Sequence, residues 1–494
     1  MSTSIPAPVS DAERTRIDEL VRSEPALTTL AQRFTSAGHE LALVGGPVRD
    51  ALMGRAGQDW DLTTNARPDE IERQVAGWAD AVWDVGREFG TIALRKGDAH
   101  IEITTYRSDE YDLSSRKPQV RFGDSLTGDL SRRDFTVNAM AVVLRDSPAG
   151  DGVSWEFVDP HGGLADLSAG ILRTPVAAGI SFGDDPLRMM RAARFVAQLR
   201  FKADPEVTSA IAAMADRLDI VSAERIRDEL VKLIRADEPV PGLRLLVDTG
   251  LADIVLPELP ALKLESDEHH RHKDVYEHSL TVLEQAIALE RLREVDGAPD
   301  VVLRLAALLH DIGKPKTRRF QNGGTVTFHH HDVVGAKLAR KRLRELRFSN
   351  DDIDDIARLV ELHLRFHGYG SGEWTDSAVR RYVRDAGDQL ERLHILTRAD
   401  CTTRNQRKAA RLQRTYDALE DRLAVLAEQE ELDAMRPDLD GNQIMEILGV
   451  GPGREVGEAY RFLLELRMDE GPLGEEAATE ALKDWWNARG DHWR

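Results

Sequence analysis

The chain reads LVGGPVRD over residues 43–50 and DWDLTTN over residues 59–65. The first stretch predicts an apolar strand that breaks at Gly45 and Gly46 into a helix opening with Pro47. Proline suits the first helical position because its missing N–H would have no partner there. Glycines at such a junction let the backbone approach a phosphate, and the helix N-terminus supplies free N–H groups. The stretch therefore predicts a phosphate-binding turn.

Asp59 and Asp61 stand two residues apart in the second stretch, which predicts a strand. Residues i and i+2 of a strand point to the same face, so the two carboxylates project together. Adjacent carboxylates repel each other unless a cation lies between them, and hard oxygen ligands suit Mg²⁺ that also holds substrate phosphates. Glu102, just before the strand-like stretch TTYR, is a third possible ligand or else a surface strand residue. A glycine pair or a DxD pair alone is usually a turn or a strand edge, but together they predict metal-assisted phosphoryl or nucleotidyl transfer.

The two stretches together resemble the head signature of the polymerase-β-like nucleotidyltransferases. The fuller string resembles class II CCA-adding tRNA nucleotidyltransferases and bacterial poly(A) polymerases. The resemblance implies that the paired acids are the catalytic residues and the Mg²⁺ ligands. It also implies that Gly45, Gly46 and Arg49 position phosphates, and we interpret Asp50 as a brace for Arg49 rather than a metal ligand.

A second head stretch, SRRDFTVNAMAV, follows a polar loop over residues 108–131. Arg132 and Arg133 suit a polyphosphate, since a guanidinium binds phosphate oxygens in a bidentate fork. Asp134 is predicted to orient one of them, and Asn138 to lie one turn later on the same helical face. RRDFTVN resembles the family motif whose arginine, aspartate and asparagine contact the triphosphate and the sugar.

The stretch GDDPLRMMRAARF carries a predicted base-reading pair. Asp185 and Arg188 stand three apart and so lie on one helical face, an acceptor beside donors. Cytosine and adenine both present an exocyclic amine beside a ring-nitrogen acceptor, whereas uracil and guanine present a carbonyl in place of the amine. A site that requires such a hydrogen bond discriminates by ~10⁴–10⁵, so two residues are enough to choose C and A without a template. The alternative is that Asp185 only caps the helix.

This stretch resembles the EDxxRxxR motif of class II CCA-adding enzymes, in which the aspartate and the first arginine read the incoming base. Asp184 stands where the family usually has glutamate, and Arg191 matches the second arginine. A further family motif is matched by VSAERIRDEL over residues 221–230. We interpret Glu224 and Arg225 within it as braces of the helical neck.

Histidines and acids form an ordered set, H…HD…H…H…D, in the helical block that follows. Imidazoles and carboxylates on helices hold one or two divalent transition metals, which generate hydroxide near neutral pH. The stretch LLHDIGKP resembles the signature of the HD superfamily of metal-dependent phosphohydrolases, which implies hydrolysis of phosphate esters, including trimming or healing of RNA 3′ ends. His331 is preferred over its two histidine neighbours because it stands four residues before Gly335. The predicted ligands are His278, His310, Asp311, His331, His363 and Asp400, and the identity of the metal stays open.

Composition alone narrows the class of protein less than the motifs do, but it bears on charge, redox state and membrane insertion. The chain has 494 residues, 41% of them hydrophobic, and a net charge of -20. A nucleic-acid enzyme needs only local positive patches, and basic residues cluster over residues 188–202 and 314–347, unless each cluster is a solvated helix face. Cys401 is the only cysteine, so no intrachain disulfide forms and a reducing compartment fits. No apolar run approaches the ~20 residues needed to span a bilayer and no signal pattern opens the chain, so we expect a cytoplasmic protein.

Changes in pattern along the chain predict five segments. Strands and helices alternate up to about residue 175, after which the pattern is almost wholly helical. The predicted strands are Glu40–Val44, Trp60–Thr63, Thr91–Arg95, Ile101–Tyr106, Ala141–Leu144 and Trp155–Val158. The predicted fold is α+β, with a small mixed-sheet polymerase-β-like nucleotidyltransferase head followed by all-α neck, HD and tail domains. We expect a disordered arm over residues 1–25, the head over 26–175, a base-reading and RNA-binding neck over 176–265, the HD domain over 266–410 and an RNA-binding tail over 411–494.

The resemblance thus implies an enzyme that adds C, C and A to tRNA 3′ ends from CTP and ATP, without a nucleic-acid template, by two-metal nucleotidyl transfer. Its cofactors would be Mg²⁺ in the head and a divalent transition metal in the HD domain. Its partners would be tRNA, CTP and ATP, with no membrane, and its oligomeric state stays open. A poly(A) polymerase shares nearly every motif and is the alternative in the same class. A rival in another class is an HD phosphohydrolase with a degenerate RNA-binding head, although intact Asp59 and Asp61 argue against it.

Overall fold

The computed structural model describes most of the chain in two compact units, Met1–Pro257 and Glu258–Arg494. No helix of the described part is long and apolar enough to cross a bilayer. The described residues are 9–55, 57, 59–110, 119–123, 125–146, 152–264, 274–293, 297–320, 326–368, 374–402, 405–430 and 436–489.

A mixed sheet is the framework of the first unit. The first nine strands are β1 (Leu41–Val44), β2 (Asp59–Thr64), β3 (Ala81–Trp83), β4 (Thr91–Lys96), β5 (Ala99–Thr105), β6 (Arg107–Glu110), β7 (Gln119–Phe122), β8 (Ala141–Asp146) and β9 (Val153–Val158). Seven of them form the sheet in the order β3-β4-β5-β2-β1-β8-β9, and β6 and β7 form a separate hairpin. Strands β2 and β5 run parallel, while the other neighbours are antiparallel. The predicted mixed-sheet head is therefore confirmed, and each predicted strand is present with its ends shifted by no more than two residues.

Helices cover one face of this sheet with an apolar core. Trp60 and Leu62 on β2 are buried together with Leu30 and Phe34 of the second helix. Because residues of a strand alternate between faces, Asp59 and Asp61 project to the other face. The head helices are α1 (Asp11–Ser23), α2 (Pro25–Ser36), α3 (Gly46–Leu52), α4 (Pro68–Val75), α5 (Leu126–Ser131) and α6 (Gly163–Ala169).

Helix α1 corrects the expectation of a disordered arm over residues 1–25. Ser10 and Glu13 form a capping box that begins the helix. Ile17 and Val21 stand four residues apart, on one face, and both are buried in the head core. The expectation is wrong for residues 11–23, because their high charge obscured a short amphipathic pattern.

The rest of the first unit is helical, as predicted for the neck. A two-residue parallel pair, β10 (Ile171–Leu172) and β11 (Lys202–Ala203), stands at its start. Helix α8 is buried along most of its length and packs against α10 and α11. The neck helices are α7 (Ala178–Asp184), α8 (Leu187–Leu199), α9 (Pro205–Met214), α10 (Ala223–Ile234), α11 (Val240–Asp248) and α12 (Leu251–Val255).

The second unit is a helical assembly with one short hairpin, β12 (Arg319–Phe320) and β13 (Val326–Thr327). Its helices are α13 (Val275–Leu292), α14 (Val301–Leu309), α15 (Lys314–Thr317), α16 (His331–Glu345), α17 (Asn350–Leu362), α18 (Asp376–Ala386), α19 (Leu390–Ala399), α20 (Gln406–Glu430), α21 (Gly441–Leu448), α22 (Arg454–Glu470) and α23 (Glu475–Ala488). Gly313 lets α16 approach closely, since an added Cβ would lie 2.0 Å from the His331 carbonyl oxygen.

The predicted domain limits agree only in part with these units. The predicted limit at residue 265 falls at the edge of residues 265–273, which lie outside the described part. The predicted limit at residue 410 lies inside the continuous helix α20. The compact core of the tail begins later, at Leu439, and involves helices α21 to α23, with Trp485 stacked on Phe462 at 4.9 Å.

Candidate functional site

Three carboxylates share the open face of the head sheet. Asp59 and Asp61 lie on this face, opposite the buried side chains of Trp60 and Leu62. Glu102 on β5 is the direct partner of Asp61 across the parallel pair. Directly paired residues project to the same side of a sheet, so Glu102 belongs to the same group.

The environment of these acids fits a divalent cation. Burial raises the pKa of Asp61, and repulsion from Asp59 raises it further, while Arg133 opposes the shift. Burial, followed by repulsion from Asp61 and Asp59, raises the pKa of Glu102. Hard oxygen atoms held in mutual repulsion suit Mg²⁺. Among the described residues, though, ligand groups whose atoms all lie within 4.8 Å occur only in the second unit, so the head acids are more widely spaced.

Gly45 lies against this acid group. Its φ of +73° is in the left-handed region that favours glycine. An added Cβ would lie 3.2 Å from Nη1 of Arg133 and 3.7 Å from Oδ2 of Asp61. Helix α3 begins directly after it, at Gly46. The predicted glycine turn therefore stands beside both the Asp61 carboxylate and the Arg133 guanidinium.

Asp129, which sequence reasoning missed, holds both arginines of the RRD motif. Its Oδ1 accepts from Nε of Arg132 at 3.0 Å and from Nη2 at 2.8 Å, and its Oδ2 accepts from Nη2 of Arg133 at 3.2 Å. The carboxylate is fully buried and also accepts from the Arg107 backbone N–H and the Thr63 hydroxyl. Burial alone would raise the pKa of Asp129, but the two arginines hold it below its usual value. The spacing of three and four residues was the available signal.

We expect Asp129→Asn to raise about tenfold the KM for the nucleotide that the family resemblance implies, and to lower the free energy of unfolding by about 2 kcal/mol, because hydrogen bonds to a charged group are worth ~1.5–3 kcal/mol. Steady-state kinetics and urea denaturation measure the two effects. Asp146→Asn, an exposed acid at the end of β8, is the matched control. An unchanged KM for that nucleotide in Asp129→Asn would show that Asp129 does not position the arginines.

A chain of polar contacts runs from helix α3 to helix α8. Arg49 donates from Nη1 to Oδ1 of Asn138 at 2.6 Å, and Asn138 donates from Nδ2 to Oδ1 of Asp134 at 3.0 Å. Oδ2 of Asp134 then accepts from Nε of Arg191 at 2.8 Å and lies 2.6 Å from its Nη2. The other nitrogens of Arg49 donate to Asp50 at 2.9 Å, in agreement with the bracing interpretation of Asp50.

These contacts revise the role predicted for Asp134. It binds Arg191 rather than Arg132 or Arg133, and although burial would raise its pKa, Arg191 and Asn138 hold that pKa far below its usual value. Asp134 and Asn138 also do not share an α-helix, because the local turn is a 3₁₀ segment over Thr136–Asn138. Asp134 therefore binds a partner distant in sequence, Arg191, and not the adjacent arginines that the sequence predicted.

The predicted base-reading pair lies at the start of helix α8. Oδ1 of Asp185 accepts from the Leu187 N–H at 3.1 Å, so Asp185 does cap the helix. Its Oδ2 lies 3.4 Å from Nη2 of Arg225, and the Asp185 side chain is 28% exposed. Arg188 is buried and donates to the Ser181 hydroxyl at 2.9 Å and to the Arg132 carbonyl. A guanidinium has five N–H donors, so these contacts orient Arg188 without exhausting it.

One cavity of about 320 Å³ joins these groups. That volume is within the range of small-molecule sites. The cavity is bordered by one acid of the DxD pair with its strand partner, by the RRD motif and by the residues at the start of α8, namely Asp61, Glu102, Arg132, Arg133, Asp134, Asp185, Arg188 and Arg191. The other predicted residues stand behind or beside this lining: Asp59, Gly45, Gly46, Arg49 and Asn138.

A second centre is built from the histidines of the second unit. Nδ1 of His310, His331 and His363 each lies against a backbone carbonyl three residues earlier, at 2.8, 2.8 and 2.6 Å. A carbonyl only accepts, so each Nδ1 carries a proton and each Nε2 faces the centre, where a neutral ring would present a lone pair. Nε2 of His363 is buried and has no hydrogen-bond partner among the described residues. These imidazoles are oriented as metal ligands are.

The six predicted HD ligands form two adjacent groups. His278, His310 and Asp400 form one, and Asp311, His331 and His363 form the other, each with its ligand atoms within 4.8 Å. The groups touch, since Nε2 of His310 lies 3.2 Å from Oδ2 of Asp311 and 3.3 Å from Nε2 of His278. This donor set of imidazoles and carboxylates fits one or two divalent transition metals. Lys314, absent from the predicted set, lies 2.8 Å from the same Asp311 oxygen.

Charges in this centre are strongly coupled. Burial lowers the pKa of His363 to about 3, with repulsion from His310 adding to the effect, so the His363 imidazole is neutral at physiological pH. Burial also favours neutral His310, but the carboxylates of Asp311 and Asp400 outweigh it and raise its pKa to about 9. The same interactions hold the pKa of Asp311 well below its usual value.

Family models match three parts of the chain. The Poly A polymerase head domain matches residues 41–173, a probable RNA and SrmB-binding site of polymerase A matches residues 200–262, and the HD domain matches residues 275–405.

Curated relatives and solved structures agree with these matches. The A-adding tRNA nucleotidyltransferase of Deinococcus radiodurans is 34% identical over 454 residues, which cover 90% of this chain and 95% of that protein. The CCA-adding enzyme of Bacillus subtilis is 37% identical over 241 residues, 49% of this chain and 55% of that protein. The Bacillus stearothermophilus CCA-adding enzyme in complex with CTP shares the fold, with a TM-score of 0.63, 24% identity and coverage of 95% and 98% of the two chains. The Thermotoga maritima CCA-adding enzyme complexed with tRNA has a TM-score of 0.60 at 19% identity and coverage of 98% and 100%.

Proposed function

Since the chain belongs to the family of tRNA nucleotidyltransferases and is a nucleotidyltransferase itself, we propose that it adds C, C and A to the 3′ end of tRNA from CTP and ATP. The observation that carries the proposal is the single cavity in which acids, arginines and the base-reading pair meet. This arrangement selects the nucleotide by protein side chains and needs no template strand.

In the proposed mechanism, two Mg²⁺ ions bound by Asp59 and Asp61 would lower the pKa of the RNA 3′ hydroxyl and stabilise the leaving pyrophosphate. Arg133, held by Asp129 beside Gly45, binds the triphosphate on the cavity side of Asp61. Asp185 accepts a hydrogen bond from the exocyclic amine of the base. Arg188 donates to the adjacent ring nitrogen, so both C and A satisfy the pair.

A second candidate is addition of the terminal A alone. The observation that favours it is the relative that matches over nearly its full length, which is an A-adding enzyme, whereas the Bacillus subtilis CCA-adding relative matches over about half of this chain. A poly(A) polymerase remains the third candidate of the same class.

We also propose that the HD centre hydrolyses phosphate esters at RNA 3′ ends. A divalent transition metal held by the two ligand groups would supply a hydroxide near neutral pH. The imidazoles whose Nδ1 is held by a backbone carbonyl, and the buried Nε2 of His363, support metal binding. Lys314 supplies a cation beside Asp311 that would contact a phosphate oxygen.

A tRNA transcript that lacks its last three nucleotides tests the main proposal. With CTP alone we expect addition of two residues, and with CTP and ATP together we expect addition of three, both resolved on a sequencing gel. A second transcript that already ends in CC should accept one A from ATP.

The alternatives give different products in this assay. Failure with CTP but addition of A to the transcript ending in CC would favour the A-adding enzyme. Long tails from ATP alone would favour a poly(A) polymerase. Release of phosphate from a 3′-phosphorylated RNA without any incorporation would favour an HD phosphohydrolase with a degenerate head.

A further inference from the structure

The open face of the head sheet continues beyond the carboxylates to its edge strand. Glu102 pairs directly with Ala93 on β4, and Ala93 pairs directly with Trp83 on β3. Directly paired residues project to the same face, so Trp83 shares the face of Asp61 and Glu102. With strands ~4.8 Å apart, its backbone lies about 10 Å from that of Glu102.

The burial pattern agrees with this register. On β4 and β5 the side chains of Leu94 and Ile101 are buried in the core, whereas Arg95 and His100 are exposed. His100 pairs with both Asp59 and Arg95, which places this row on the open face as well. Trp83 is 42% exposed at the end of the neighbouring row.

These exposed residues have the chemistry of a nucleic-acid surface. The rings of Trp83 and His100 are nearly parallel, with an interplanar angle of 19° and centroids 6.3 Å apart. An exposed aromatic surface stacks a base of any identity, and a neighbouring arginine contacts phosphate. We name Arg95, His100 and Trp83 the edge platform.

The geometry of in-line transfer places the RNA 3′ end on the side of the acids that the edge platform occupies. The cavity that accommodates the nucleotide is bordered by the RRD arginines and by α8, and none of the edge platform contributes to it. In-line transfer requires the attacking 3′ oxygen and the leaving pyrophosphate to lie on opposite sides of the α-phosphorus. An RNA end that avoids the cavity therefore reaches Asp61 across Glu102, from the side of β4 and β3.

We propose that the edge platform binds the 3′-terminal bases of the acceptor RNA, with Trp83 and His100 stacking a base and Arg95 contacting the backbone. The inference rests on the proposed nucleotidyl transfer and adds to it the path by which the acceptor strand approaches the acids. It identifies a single-stranded RNA end as the ligand of a surface otherwise without a role.

A fluorescent acceptor tests the platform without requiring catalysis. A tRNA transcript lacking its last three nucleotides, with 2-aminopurine as its 3′-terminal base, should lose emission on binding the wild-type protein because the base stacks. Trp83→Ala should abolish this quenching and Trp83→Phe should retain most of it. Val82→Ala is the matched control, since Val82 is 43% exposed on the same strand but projects to the other face.

Kinetics provide the second measurement. Stacking of a base on an aromatic ring adds to the affinity for single-stranded RNA, so Trp83→Ala should raise the KM for the RNA by about tenfold. We expect the KM for CTP, and kcat at saturating RNA, to stay within twofold of wild type. Equal behaviour of Trp83→Ala and Val82→Ala in both assays, or no quenching by the wild type, would overturn the platform. Failure of the wild type to incorporate nucleotides would instead contradict the proposed transfer reaction, and the fluorescence result would still decide whether the platform binds RNA.

Discussion

Replacing Asp61 by asparagine is expected to reduce nucleotide incorporation by at least about 10³-fold, equivalent to ~4 kcal/mol of transition-state stabilisation. Asparagine keeps the shape of the side chain but removes the charge that a metal ion needs. Of the two acids of the DxD pair, Asp61 is the one that borders the cavity, and it lies beside Gly45, as Arg133 does. Single-turnover incorporation of CTP into a tRNA transcript measures the effect.

The same variant should leave phosphate-ester hydrolysis unchanged, because the HD ligands belong to the other compact unit. His310→Ala should have the reverse pattern, with loss of hydrolysis and normal incorporation. Asp98→Asn, an exposed acid in the turn between β4 and β5, is the control for surface charge. Loss of both activities in Asp61→Asn would mean that the two centres do not act separately.

Replacing Asp185 by alanine is expected to reduce discrimination between CTP and UTP by at least about 100-fold, out of the ~10⁴–10⁵ that a required hydrogen bond provides. Without the carboxylate, the uracil carbonyl no longer faces a negative charge. Asp185→Asn should accept UTP better still, because its amide can donate to that carbonyl. The ratio of kcat/KM for the two nucleotides is the measurement.

Asp185 also caps helix α8, which adds a stability effect of about 1 kcal/mol to any substitution. Asp204 provides a matched control, because it too precedes a proline, caps a helix through the Glu206 N–H and contacts an arginine, Arg173. Asp204→Ala should lose similar stability and keep its rejection of UTP. If Asp185→Ala also rejects UTP as wild type does, the pair does not read the base.

Local patterns in the sequence were enough to predict the strands of the head and the six residues that form the two candidate metal-binding groups. Strand alternation placed Asp59 and Asp61 on one face, and the ordered histidines included every member of the two ligand groups. These features depend on spacings within one element or on motifs of a few residues. They are therefore readable without knowledge of the tertiary structure.

Other features depend on partners far apart in the chain. Asp134 binds Arg191 on helix α8, 57 residues away. The sequence had predicted a contact with the neighbouring Arg132 or Arg133 instead. Trp83 lies on the same sheet face as the acids because of the register of three strand pairs, which no local pattern specifies. Asp129 is an intermediate case, since its spacing to the arginines was visible but its complete burial was not.

The backbone carbonyls that hold His310, His331 and His363 have a thermodynamic consequence. Each ring is fixed by a hydrogen bond to a carbonyl three residues earlier, so little rotamer freedom would be lost if the ring coordinated a cation. Preorganisation of this kind favours tight capture of a cation without requiring the surrounding helices to refold around it.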